Sequence, residues 1–151
     1  MPFEASESPT PRPRRALVVD GDEYARTVLA RTLESGGLVA ETLCSGDTAW
    51  QTFEAAEQGR REGWDVVVVC EQLFGMSGTA LVRRLRGHCA ELPILYTSSL
   101  PCPEALPTPE REPPIPALRK PFPADVFLQR VTRLARDSRR CADAGAGAGA
   151  E

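Results

Sequence analysis

No stretch of this chain reaches the ~18 consecutive apolar residues that a membrane helix needs, so no transmembrane helix is expected. The N-terminus has prolines and glutamates where a signal peptide would have an apolar core. The expectation is a cytoplasmic protein with no membrane partner. A surplus of positive charge is also missing. Lys and Arg number 18 against 21 Asp and Glu, net −3, which argues against nucleic acid as a partner. Histidine is nearly absent: His88 stands alone, with no acid–nucleophile set beside it. The five cysteines (Cys44, Cys70, Cys89, Cys102 and Cys141) are odd in number and scattered, with no CxxC pair and no Cys/His cluster. Reduced thiols are the expectation, and a thiolate metal centre is not.

What is present is a domain-sized chain with a readable order. The 151 residues at 42% hydrophobic content suit one core. Residues 1–15 read as a disordered leader, because Pro2, Pro9, Pro11 and Pro13 deny them regular structure. Residues 141–151 read as a flexible Ala/Gly tail. Residues 16–140 are left as the folded unit.

Within that unit, Ala16–Val19 and Val66–Val69 are apolar at every position. That pattern suits parallel strands buried on both faces. Leu38–Leu43, Pro93–Thr97 and Ala117–Arg119 are further strand candidates. Helical stripes lie between them. Tyr24, Val28, Leu29 and Leu33 make the first, with Asp22 as N-cap and Gly36-Gly37 as the stop. Ala49, Trp50, Phe53 and Ala56 make the second, and Leu81, Val82 and Leu85 the third, ended by Gly87. Val126, Phe127, Val131, Leu134 and Ala135 form the last. The alternation implies an α/β doubly wound sheet of five parallel strands, since five cannot close a barrel. Residues 100–116 hold seven of the 14 prolines. Each interior proline costs a helix about 3 kcal/mol, so an irregular or polyproline-like loop is expected where a fourth helix would sit.

Several local motifs fall in a telling order. They are Leu17-Val18-Val19-Asp20, Gly46 opening the second helix, and Asp65 before the central strand. Gly75-Met76-Ser77-Gly78 follows that strand, and Arg119-Lys120-Pro121-Phe122 follows the last one. Together they resemble the receiver domain of bacterial response regulators over residues 16–137. The resemblance implies a flavodoxin-like sheet of order 2-1-3-4-5 with the fourth helix degraded to the proline-rich loop.

It also implies a site at the carboxyl ends of the strands. A receiver there has two acids after the first strand and an acceptor aspartate ending the third, which hold Mg²⁺ with a backbone carbonyl. A hydroxyl, a lysine and an inward aromatic complete the set. Carried onto this chain, Asp20 matches the first acid and Gly21 occupies the place of the second. Cys70 occupies the acceptor position, with Gly78 fixing the register. Gln72 matches the carbonyl donor, Ser98 the hydroxyl (Thr97 is the runner-up) and Lys120 the lysine. Ala117 occupies the aromatic position. A thiol cannot form an acyl phosphate, and a soft sulfur among Asp20, Gln72 and waters is a poor ligand set for Mg²⁺.

No cofactor, no metal and no catalytic residue are therefore expected. The expected remnant is a pocket of Asp20, Ser98 and Lys120, with Lys120 paired to Asp20 because a lysine near a buried strand end is costly alone. Glu71 should point away from Cys70 by strand alternation. Asp22 and Glu23 are the residues that would have to replace Gly21 in any metal site. The reading is a non-enzymatic, stand-alone atypical receiver that docks on a protein such as a histidine kinase. The first and last helices and the proline-rich loop would be its surfaces. Two alternatives remain: a phosphorylatable receiver with a non-standard acidic site, and a thiol sensor at Cys70. His88 and the Arg130, Arg133, Arg136, Arg139 and Arg140 face are read as solvated.

Overall fold

The computed structural model describes residues 12–138. Most of the expected leader, the tail, Cys141, Arg139 and Arg140 lie outside them. The elements run β1 (Arg15–Val19), α1 (Glu23–Ser35), β2 (Val39–Leu43), α2 (Gly46–Glu57), β3 (Val66–Cys70), α3 (Gly78–His88), β4 (Ile94–Ser98), β5 (Ala105–Leu106), β6 (Ile115–Arg119) and α4 (Ala124–Arg136).

The sheet order is β2-β1-β3-β4-β6-β5. Five strands are parallel, as their apolar runs require, and β6 is the expected last one. The expectation of five strands is corrected by β5, which pairs antiparallel on the outer edge through Ala105↔Pro116 and Leu106↔Ile115. Pro116 has no N–H to offer a ladder; it lies in β6 one residue before the β4–β6 register begins at Tyr96↔Ala117. The missing fourth helix agrees with the proline count: among the described residues no helix lies between β4 and β6.

Burial follows strand alternation. Val67 and Val69 face Trp50, Phe53, Leu81 and Leu85 of α2 and α3. Val66 and Val68 face Leu29, Leu33, Phe127 and Val131 of α1 and α4. The first stripe is narrower than expected. Leu29 and Leu33 are buried, whereas Tyr24 is 76% exposed and Val28 is 40% exposed. Asp22 does cap α1, its Oδ1 accepting the Tyr24 N–H at 3.1 Å. Gly36 caps its end, and Gly37 follows at φ +88°, a conformation that favours glycine. Helix α3 continues through Gly87 to His88, one residue past the expected stop. Cys89 is disulfide-bonded, which corrects the expectation of five reduced thiols; Cys44, Cys70 and Cys102 are free.

Candidate functional site

The carboxyl ends of β1, β3 and β6 converge on one cavity. Asp20 follows β1, Cys70 ends β3 and Lys120 follows β6, and all three line it with Gly21, Asp22 and Gln72. Lys120 Nζ donates to Asp20 Oδ2 at 2.7 Å, the pairing anticipated from the sequence. The other carboxylate oxygen, Oδ1, accepts the Asp22 N–H at 2.9 Å. Asp20 is 1% exposed, so this is a buried charge with both oxygens engaged. Burial alone would lower the pKa of Lys120. The hydrogen bond to Asp20, then the neighbouring Cys70 and the charge of Asp20, overcome that and hold it above the ordinary lysine value.

Cys70 sits beside the pair and is buried. Its thiol donates a weak hydrogen bond to Gln72 Oε1 at 3.3 Å. Burial, then the negative charge of Asp20, push its pKa above the ordinary value of 9.0. A reactive thiolate needs a shift in the other direction. Under native conditions a thiol reagent should therefore modify exposed Cys44 quickly and Cys70 only on the timescale of unfolding. Peptide mapping over time checks this, and fast labelling of Cys70 would count for the sensor alternative.

The cavity does not fit Mg²⁺. That ion needs near-octahedral hard oxygens. Gly21 brings no side chain, and Cys70 brings sulfur. The Gln72 carbonyl already accepts the Gly21 N–H at 3.0 Å. A β-carbon at position 21 would lie 2.7 Å from that same carbonyl oxygen, so an acid could enter there only with a backbone shift. Asp22 lines the cavity, but its carboxylate is committed to capping α1. Among the described residues, no three of His, Cys, Asp or Glu are grouped so that they could hold a metal ion.

Ser98 stands apart from this group. It is buried at the end of β4, and its Oγ accepts the Leu100 N–H at 3.0 Å. The serine that lines the cavity is its neighbour, Ser99. Thr97 pairs with Cys70 in the β3–β4 register.

Glu71 turns away, as alternation requires. Its Oε1 accepts the Thr79 N–H at 3.0 Å, the Thr79 hydroxyl at 2.7 Å and the Tyr96 hydroxyl at 2.7 Å. This places a carboxylate at the N-terminus of α3, where the helix dipole favours negative charge. The approach is close because Gly78 backs onto the end of β3: a β-carbon there would lie 2.3 Å from the Cys70 carbonyl oxygen.

Tyr96 was not singled out from the sequence, yet it is the aromatic beside Ala117. It pairs with Ala117 in the β4–β6 register, and both belong to the α2/α3 side of the core. Its ring lies one strand over from Ala117 and is tied by its hydroxyl to Glu71. Burial, then the hydrogen bond to Glu71, raise its pKa. Tyr96→Phe should cost about 1 kcal/mol, because Glu71 keeps its two bonds from Thr79. A urea midpoint unchanged from the wild type would mean that the bond carries no net stability.

The remaining candidates sit on the periphery. His88 is exposed, its ring meeting Trp50 edge-on at 4.7 Å. Arg130, Arg133 and Arg136 lie on α4. Phe74 lines the cavity and is 63% exposed; Tyr24 and the 60% exposed Leu100 stand close along the chain to Asp22 and Ser99.

Comparison with known proteins gives a consistent picture. No family model matches the chain. It is 35% identical over 121 residues to the C4-dicarboxylate transport transcriptional regulatory protein DctD of Pseudomonas aeruginosa, covering 79% of this chain and 24% of that protein. The chain thus spans about a quarter of the length of that relative. Among solved structures it resembles the receiver domain of Francisella response regulator 1452, with TM-score 0.65 and 20% identity over 82% of this chain and 97% of that one. A CheY-like receiver domain protein from Methanospirillum hungatei matches with TM-score 0.68 and 16% identity, over 83% of this chain and 96% of that one. The non-phosphorylated HemR receiver domain of Leptospira biflexa matches with TM-score 0.67 and 23% identity, over 84% and 98% respectively. At these identities the structural matches establish the fold. No helix among the described residues is long and apolar enough to cross a membrane.

Proposed function

We propose that this chain, which has the fold of response-regulator receiver domains, serves two-component signalling by docking to a protein partner without taking a phosphoryl group. The observation that supports this most is Cys70 at the acceptor position, buried beside an Asp20 whose two oxygens are already engaged. An acyl phosphate needs a carboxylate nucleophile, and the neighbouring Glu71 faces the start of α3. Gly21 brings no carboxylate to the metal position. The aromatic that would follow a phosphoryl group inward is fixed in Tyr96 to Glu71. Acceptor, metal ligand and responsive aromatic are altered together, and each alteration removes a different step.

A docking role is supported by what surrounds the cavity. Tyr24, Phe74 and Leu100 are large, apolar and exposed, and such residues near a polar rim mark interaction surfaces. The first helix, the last helix and the proline-rich segment are the surfaces we assign to a histidine kinase or another signalling protein. Incubation with Mg²⁺ and acetyl phosphate should leave the intact mass unchanged. A hydroxylamine-sensitive adduct of one phosphate would overturn this reading.

A further inference from the structure

Replacing a helix by residues 99–114 opens a groove that shares no lining residue with the Lys120 cavity. Its walls are α3 and the segment around β5, and it encloses about 300 Å³. That volume is at the lower end of small-ligand sites. Val82, Leu106, Pro107 and Ile115 make much of its surface apolar. Three charged residues also line it: Arg83, Arg86 and Glu112.

Arg86 is the unusual one. It is a cation only 6% exposed. Its Nε donates to the Leu92 carbonyl at 2.8 Å, and its Nη1 donates to the Pro113 carbonyl at 2.8 Å and to Glu112 Oε1 at 3.3 Å. Its Nη2 is buried and meets no acceptor among the described residues. A buried, unpaired donor on a cation is costly, so a hydrogen-bonding partner for it is favoured. Burial lowers the pKa of this guanidinium against the pull of Glu112, yet an arginine stays protonated at neutral pH. Arg83 lies one helical turn earlier, is exposed, and makes no ion pair among the described residues. The groove thus carries two guanidiniums against one carboxylate, an excess of one positive charge over an apolar floor.

We propose that this groove binds a small carboxylic acid with an apolar body. The carboxylate meets Arg83 and the unpaired edge of Arg86, and the body lies against Val82, Leu106 and Ile115. The excess charge selects a single anionic group, and the apolar walls select against a bare phosphate. Nη2 is covered, so on this proposal a groove wall gives way, and the segment around Pro107–Pro109 is the wall least held. That segment hangs on a two-residue strand and has no helix to hold it. The proposal is independent of whether Cys70 has replaced a working acceptor.

The test is a titration of the full ¹⁵N-labelled chain with benzoate, its neutral isostere benzamide, and inorganic phosphate. Benzoate should give saturable amide shifts at Thr79, Arg83, Gly87 and Leu106. Benzamide and phosphate should each bind at least about tenfold more weakly, the scale of one charge-assisted hydrogen-bond pair. Arg83→Gln, an exposed change that leaves the core intact, should weaken benzoate to a similar degree, with a native spectrum. Four outcomes would overturn the proposal: no saturable shift at those amides, equal response to benzoate and benzamide, phosphate matching benzoate, or shifts confined to residues around Lys120. With no saturable shift at those amides, water alone would remain as the partner of Arg86 Nη2.

Discussion

Lys120→Met is expected to destabilise the protein by about 3 kcal/mol, because it leaves Asp20 charged, buried and without its cation. For a domain of this size that is roughly a 10 °C fall in Tm. The single change should cost more than the double change Asp20→Asn with Lys120→Met, which removes both charges together. That inequality separates a structural ion pair from a lysine that merely lies near an acid. The alkaline side offers a second check. The folded pKa of Lys120 lies above its ordinary 10.5, so the stability from this pair is fully present below that pH and is lost as pH rises through the folded value. Cys70, also raised, from 9.0, acts in the same direction, since the unfolded chain loses that proton first. Urea midpoints should therefore fall from about pH 9 upward. The Met variant should lose the steeper part of that fall above the lysine range. A Met variant as stable as the wild type would remove the structural role assigned to the pair.

How much of this was legible beforehand depends on the kind of signal. The strands β1 and β3 were readable because burial on both faces demands apolar residues at every position, and Val66–Val69 can satisfy nothing else. The loss of a helix before β6 was readable because proline removes a donor and clashes with the preceding turn. That the same segment would add the strand β5 was not readable, since two residues carry no periodicity. Tyr24 and Val28 fit a helical stripe by spacing, but spacing does not say how wide a face the neighbours cover.

The Lys120–Asp20 contact followed from the resemblance, which puts both residues in one pocket, together with the cost of burying an unpaired charge. Tyr96 could have been found from its place two residues before Ser98 on β4, opposite Ala117. Recognising it required the register between strands that are far apart in sequence. Arg86 gave no sequence signal at all. An arginine on a helix is ordinarily solvent-facing, and only the packing of Leu92, Glu112 and Pro113 around it reveals the burial.

The site itself yields the second large effect. Cys70→Asp supplies the residue that the receiver resemblance expects at this position, yet it should weaken this protein at neutral pH. The new carboxylate would enter a buried position beside Asp20, where Lys120 is the one cation lining the cavity among the described residues. Two carboxylates that share one partner in a low-dielectric site cannot both ionise cheaply. A loss on the order of 2–4 kcal/mol is expected at pH 7. The sign of its pH dependence is fixed by the same physics. Burial and Asp20 would raise the folded pKa of the introduced aspartate above its unfolded value of about 3.9. The penalty should therefore be small at pH 4 and grow as pH rises through that interval. Millimolar Mg²⁺ should recover little of the loss, because Gly21 leaves the second acid missing and the Gln72 carbonyl blocks a side chain from taking its place. Denaturation of wild type and variant at pH 4 and pH 7, with and without Mg²⁺, reads all three statements. If Mg²⁺ raised the variant's stability to that of the wild type or beyond, the remaining oxygens would still form a metal site, and Cys70 alone would be what keeps the pocket silent.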